Sequence, residues 1–325
     1  MGRTLSMRRS LCAVVLAMAA GSVSTGFASG PNCGDLLGKM NLAIGNADAD
    51  LAVRVANEAQ TYCESPDAAR ARLAAGAVLM KRLLRPELLQ APEHHEKELL
   101  QVLKYGGFWQ AERLLGDIAF RRRDYKVAAD HYQRALDVAT EVADGRPGLP
   151  AQRPPDEALL DRIARQAELS RLAAPDFVPL TRDRDGNLAG QAVLLRSATP
   201  KPFVQPVRFE YDDIRFTEIG RRYAEELRDV IQQQQRDRGI RSLTLVGHTD
   251  ASGDAQYNLN LSRRRAEALA TWLKEQGVSI TIRSEGRGEA EPIDLGGNEM
   301  PREEFDQANR RVEVVFPSRQ GGAVP

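Results

Sequence analysis

Histidine, cysteine and tryptophan are scarce in this chain, at 4, 3 and 2 of its 325 residues, and aromatic residues reach only 6%. Formal net charge is zero, with 45 basic and 45 acidic side chains. No basic tract with interleaved aromatics stands out, so no nucleic-acid partner is expected. Long apolar runs are missing too. The one at residues 11–20 is too short to span a bilayer, and none follows that could. His94 and His95, with Glu98 one turn after His94, have no third ligand close by, and a solvated helix face accounts for them better than a metal site. His248 stands near Asp250, Ser252 and Ser262, but no nucleophile elbow accompanies them. The segment from Asp250 to Asp254 lacks the spaced acids and terminal glutamate of a calcium loop. No catalytic residue, metal or cofactor is expected, and the chain does not read as an enzyme.

What is present begins with an export signal. Arg3, Arg8 and Arg9 precede the short apolar run, and Gly26, Phe27 and Ala28 offer a cleavage site, so residues 1–28 read as a secretory signal peptide. Cys12 leaves with it. The mature chain then holds Cys33 and Cys63 alone, and a disulfide between them suits an oxidising periplasm. Closing that loop is worth about 3–4 kcal/mol on the chain-entropy account. The length allows two or three domains.

Residues 29–143 read as helical hairpins. Ser65, Pro66 and Asp67 mark a helix start whose helix ends before Pro86, and Pro92 opens a further helix stopped by Gly106 and Gly107. Residues 108–139 resemble a tetratricopeptide repeat. Leu115 and Gly116 match the small pair of its first helix, and Ala128, Tyr132 and Ala135 match the packing positions of the second. Glu112 stands at the usual tryptophan position, and the terminal proline is missing. Stacked copies would form a short solenoid with a concave face, suited to holding a protein partner. Residues 144–202 follow as a proline-rich linker, in which 144–156 is a stiff extended spacer. A helix over about 157–172 and a hairpin around Asp185 and Gly186 complete it.

Residues 203–317 read as strands and helices in the order βαβαβ with a last strand, and 318–325 as a flexible tail. The strands are expected at 207–211, 243–246, 279–283 and 311–316, the first helix at 217–235, and residues 286–309 as a long loop. The second helix, from Asn258 to Gly277, contains an anomaly. Leu261, Ala268, Leu269, Trp272 and Leu273 form one apolar stripe, and Arg265 lies inside it between Leu261 and Leu269. A cation there opposes the helix macrodipole and calls for an anionic partner. Asp250 is the nearest candidate, either as an internal ion pair or with both groups turned to a ligand.

The blocks Gly247-His248-Thr249-Asp250, Tyr257-Asn258, Leu261-Ser262, Arg265-Ala266 and Asn309-Arg310-Arg311-Val312-Glu313 resemble the OmpA-like peptidoglycan-binding domain of bacterial envelopes. The fold class implied is α+β, a C-terminal OmpA-like βαβαβ-β domain behind an all-α tetratricopeptide-like domain. The resemblance implies that Asp250 and Arg265 grip the zwitterionic end of diaminopimelate in the stem peptide, the carboxylate taking the ammonium and the forked guanidinium the carboxylate. It further implies a supporting shell of Thr249, Asn258, Asn309 and Arg310, with Arg311 structural. The expected function is non-catalytic anchoring to peptidoglycan in the periplasm, possible at the outer membrane, with the helical domain holding an envelope protein and no transmembrane segment. The alternative is a periplasmic adaptor in which wall binding is secondary.

Overall fold

Side-chain caps set the helix boundaries of the first half. In this computed structural model, which describes residues 31–182, 203–297 and 299–317, Asn32 accepts from Gly34 N and starts α1 (Cys33–Asn46). Asp48 does the same for α2 (Ala49–Tyr62) through Leu51 N. The disulfide between Cys33 and Cys63 ties the start of α1 to the residue after α2. There follow α3 (Ser65–Leu83), α4 (Pro86–Leu89), a 3-10 turn (Pro92–His95), α5 (Glu96–Tyr105), α6 (Trp109–Arg121) and α7 (Tyr125–Ala143). Successive helices pack on one another, α1 on α2, α2 on α3, α3 on α5, α5 on α6 and α6 on α7. The pair α6 and α7 shows why a small residue is needed at 116. A Cβ on Gly116 would stand 2.7 Å from the Tyr132 ring, which is itself 1% exposed. Tyr132 then donates its hydroxyl to Asp117 at 2.8 Å, so the polar end of a buried ring is satisfied. The expected signal peptide, the expected hairpin around Asp185 and the expected tail lie outside the described residues.

The stretch 144–156 differs from the expected free spacer. Trp109 Nε1 donates to Arg153 O at 2.9 Å and Gln152 Nε2 to Gly107 O at 2.7 Å, while Pro150 is buried. Prolines make this segment stiff, but two side-chain bonds hold it against the helical domain. It leads to α8 (Glu157–Ala173), capped by Asp156 through Leu159 N. This helix packs against α7 and against the C-terminal half.

The second half contains β1 (Phe203–Gln205), α9 (Glu218–Arg238), β2 (Ser242–His248), α10 (Ala255–Glu275), β3 (Thr281–Gly288), α11 (Arg302–Asn309) and β4 (Val312–Val315). The sheet order is β1-β4-β2-β3, with β4 antiparallel to both neighbours and β2 parallel to β3. With the helical first half, this makes the chain α+β. Alternation along β2 buries Leu243 and Leu245 against Leu227 and Ile231 of α9 and Leu269 and Leu273 of α10.

Two elements correct the sequence reading. The first strand lies at 203–205, not 207–211, because Thr217 N donates to Arg208 O and Phe209 pairs with Phe216, turning 208–217 into a closed loop. The loop expected at 286–309 ends in helix α11, in which only Ala308 and Asn309 are buried, too few to show as an apolar stripe. Among the described residues, no helix is long and apolar enough to cross a membrane.

The two halves meet along a bonded seam. Arg171 of α8, 1% exposed, pairs with Glu226 of α9. Glu226 Oε1 also accepts Leu180 N at 2.6 Å, and Tyr223 OH accepts Val178 N at 3.0 Å. Tyr125 of α7 donates to Glu304 of α11, and Gln307 of α11 donates to the last carbonyls of α8.

Candidate functional site

Strand β2 and helix α10 approach so closely that a Cβ on Gly247 would lie 2.2 Å from Ser262 O. Ser262 Oγ accepts Gly288 N at 3.0 Å and donates to Leu259 O at 2.9 Å, which fixes the helix against the end of β3 as well. That contact sets the position of Arg265, one turn further on.

Arg265 is 7% exposed. Its Nε donates to Asp213 O at 3.1 Å and its Nη2 to Glu210 O at 3.3 Å, both backbone carbonyls of the closed loop 209–216. Its guanidinium stands 5.3 Å from the centroid of Phe209. Among the described residues no carboxylate is paired with it. Burial, followed by the charge of Arg310, holds its pKa below the ordinary arginine value. A guanidinium withdrawn from water and satisfied only by carbonyl dipoles keeps its full charge available to an anion.

Asp250 does not pair with Arg265. Its Oδ1 accepts Ser252 N at 2.9 Å, and its Oδ2 accepts Arg310 Nη1 at 2.6 Å. Burial pushes its carboxyl up, yet Arg310 and the Ser252 bonds outweigh that and hold it below the usual carboxylate range. Of the two readings of Asp250 and Arg265 left open by the sequence, the internal ion pair is therefore absent.

A pocket of about 170 Å³ opens between these elements, with Arg208, Arg265 and Arg310 in its wall beside Thr217, His248 and Gln307. Several cations and no carboxylate line it, which suits a small anion or the anionic end of a zwitterion. The expected supporting residues have distinct placements. Arg310 lines the pocket and grips Asp250. Thr249 is 6% exposed, and its Oγ1 has no hydrogen-bond partner among the described residues. Asn258 braces the loop by donating to Ser252 O at 2.9 Å and Glu289 Oε2 at 2.7 Å. Asn309 does not line the pocket. It is 3% exposed, its Oδ1 accepts Ile293 N at 2.8 Å, and its Nδ2 donates to Phe305 O at 2.9 Å. Its amide is consumed by the end of α11, an element absent from the sequence reading.

Arg311 lines the pocket as well, but its charge is committed. It bonds Glu313 Oε1 at 2.6 Å through Nη2, and His248 Nε2 lies 3.5 Å from the same oxygen. Burial pushes the Glu313 carboxyl up, but His248 and Arg311 together prevail and bring it down to about 2. Arg208 and Gln307 were not foreseen. Arg208 stands in a sequence read as a plain strand, and Gln307 in one read as a loop, so neither carried a local signal.

The OmpA family matches residues 208–304. Over 107 residues the chain is 33% identical to outer membrane protein A of Bordetella avium, covering 33% of this chain and 51%, about half, of that protein. Over 131 residues it is 30% identical to the peptidoglycan-associated lipoprotein of Legionella pneumophila, covering 40% of this chain and 70% of that one. The crystal structure of the peptidoglycan-associated lipoprotein from Burkholderia pseudomallei aligns at 24% identity with a TM-score of 0.28, over 34% of this chain and 88% of that one. Through its C-terminal half, the chain belongs to the OmpA family.

Proposed function

We propose that the protein binds peptidoglycan without catalysis, holding the free end of a diaminopimelate residue between Asp250 and Arg265, and so anchors its helical domain at the cell wall. The observation that carries this is Arg265, a buried guanidinium on a pocket wall with no carboxylate paired to it among the described residues. A ligand carboxylate there would supply the missing counterion. The ammonium on the same carbon would reach Asp250, which already holds a cation, the Arg310 guanidinium. Binding therefore exchanges one cation for another at Asp250, and Arg310 is free to turn to the incoming carboxylate. Relatives named for peptidoglycan association support the ligand class, and the helical domain is the part such an anchor would present to a partner in the periplasm.

Pull-down on purified sacculi tests the reading. Asp250→Ala and Arg265→Ala should each lose about 2–5 kcal/mol of binding while remaining folded. Arg265→Lys should fail nearly as badly, because a point charge cannot reproduce the fork. Retained binding by both alanine variants would sink the assignment.

A further inference from the structure

The last carbonyls of a helix have no partner within it and must find donors elsewhere. At the end of α8 these donors come from the other half of the molecule. Arg208 Nη1 donates to Pro175 O at 2.8 Å, and its Nη2 reaches Ala174 O and, at 3.4 Å, Leu172 O. Gln307 Nε2 lies 3.2 Å from Leu172 O, 3.2 Å from Ala173 O and 3.3 Å from Ala174 O. Both side chains also line the pocket that holds Arg265 and Arg310. The two residues that clasp α8 are thus also part of the pocket wall.

We propose that Arg208 and Gln307 couple the pocket to the docking of α8, so that an occupied pocket and a docked α8 stabilise each other. This inference rests on the wall-binding reading above and gives it a consequence, since the helical domain would then sense whether the wall is bound.

Two physical links set the sign. Arg208 uses both terminal nitrogens on carbonyls at and just past the end of α8, and its Nε makes no hydrogen bond among the described residues, so it can hold the helix end and face an anion together. Burial, then the nearby charge of Arg310, disfavours its charged form. A carboxylate among Arg208, Arg265 and Arg310 would relieve that repulsion without loosening the clasp. The second link runs along α11. Gln307 holds its last turn on α8, and the same turn leads into Arg310, which grips Asp250. With α8 undocked, Gln307 loses its acceptors and Arg310 loses its fixed mount. By linkage, whatever docking contributes to ligand affinity the ligand returns to docking.

Hydrogen exchange on the full chain, with and without saturating meso-diaminopimelate, tests the coupling. The amides to follow are Ala174, Val178 and Leu180, bonded to Ser170 O, Tyr223 OH and Glu226 Oε1. Their exchange should slow roughly fivefold or more, the lower end of ordinary coupling, while amides of α1 and α2 stay unchanged. Gln307→Leu, which keeps bulk but cannot donate, should bind meso-diaminopimelate more weakly and lose the ligand-dependent slowing. A purely structural glutamine would lower stability and leave that slowing intact. The coupling is overturned if the unaltered chain binds the ligand with no slowing at 174–180, or if Gln307→Leu slows as fully as the unaltered chain. Should Gln307→Leu not fold, the exchange of the unaltered chain decides alone. Failure of the unaltered chain to bind either meso-diaminopimelate or sacculi removes the wall-binding reading itself, and the coupling with it.

Discussion

Two arginines are buried in this molecule under nearly the same conditions and with opposite outcomes. Arg171, at the seam between the halves, is 1% exposed with its guanidinium 5.3 Å from the Tyr223 ring. Arg265, at the pocket, is 7% exposed and 5.3 Å from the Phe209 ring. The first has its counterion inside the protein, Glu226, and bonds Val178 O at 3.1 Å besides. The second has carbonyls only. Burying a guanidinium costs several kcal/mol either way. At the seam the cost is offset by a permanent partner, and the charge fixes how the halves dock. At the pocket it is left standing, which is how a site that awaits an anion differs from one that is finished.

That contrast can be broken by mutation. Arg171→Ala or Glu226→Ala leaves one buried charge alone and should cost about 3–5 kcal/mol of stability, read from denaturant or thermal unfolding. Arg265→Ala removes an already unpaired charge and should shift the same midpoint far less, under about 1 kcal/mol. Equal losses at both sites would mean that Arg265 is as structural as Arg171.

A smaller effect follows from Glu313, which lies between His248 and Arg311. Its folded pKa of about 2 lies below the ordinary 4.5. A depressed carboxylate contributes stability that is present above the unfolded value and lost as pH falls through the folded one. Acidification from about pH 4.5 to 2 should therefore remove on the order of 2 kcal/mol, and Glu313→Gln should flatten this part of the curve. An unchanged acid limb in the variant would show that the Glu313 carboxylate is not held as described.

The smallest effect is expected across the cavity between α8 and the sheet, where Glu168 faces Glu313 and Arg311. Burial first, then the charge of Glu313, pushes the Glu168 carboxyl up to about 8. The folded state then binds the extra proton, so this group's contribution falls as pH rises from about 4.5 towards 8. Glu168→Gln should stabilise the chain at pH 8 by on the order of 1 kcal/mol and make little difference near pH 4. A variant that is less stable at pH 8 would overturn this account of the seam.

Several parts of the candidate site stood out in the sequence because they break local rules. A cation inside an apolar helical stripe identified Arg265 without any structure, and Gly247 and Asp250 belonged to a dense motif beside it. The pairing of Cys33 with Cys63 followed from arithmetic. The partner of Asp250 was not legible, since Arg310 reaches it from 60 residues away in sequence and competes with a nearer arginine. Helix α11 was missed because only Ala308 and Asn309 are buried in it, too few for a visible stripe. The seam was missed for a different reason. Prolines near 150 read as a stiff spacer, but whether such a segment is free or docked depends on Trp109, Gln152 and α8, which no local pattern connects.

The central claim is that Arg265 awaits a carboxylate carried beside an ammonium. Calorimetric titration of meso-diaminopimelate into the full chain, against an Nα-blocked lysine and against the Arg265→Ala variant, tests it most directly. The account predicts saturable binding of meso-diaminopimelate, poor binding of an Nα-blocked lysine, whose ε-ammonium has no carboxylate beside it, and an affinity loss of roughly 30-fold or more in Arg265→Ala, equivalent to about 2 kcal/mol. Unaltered affinity in Arg265→Ala, or equal binding of an Nα-blocked lysine whose ε-ammonium has no neighbouring carboxylate, would contradict it.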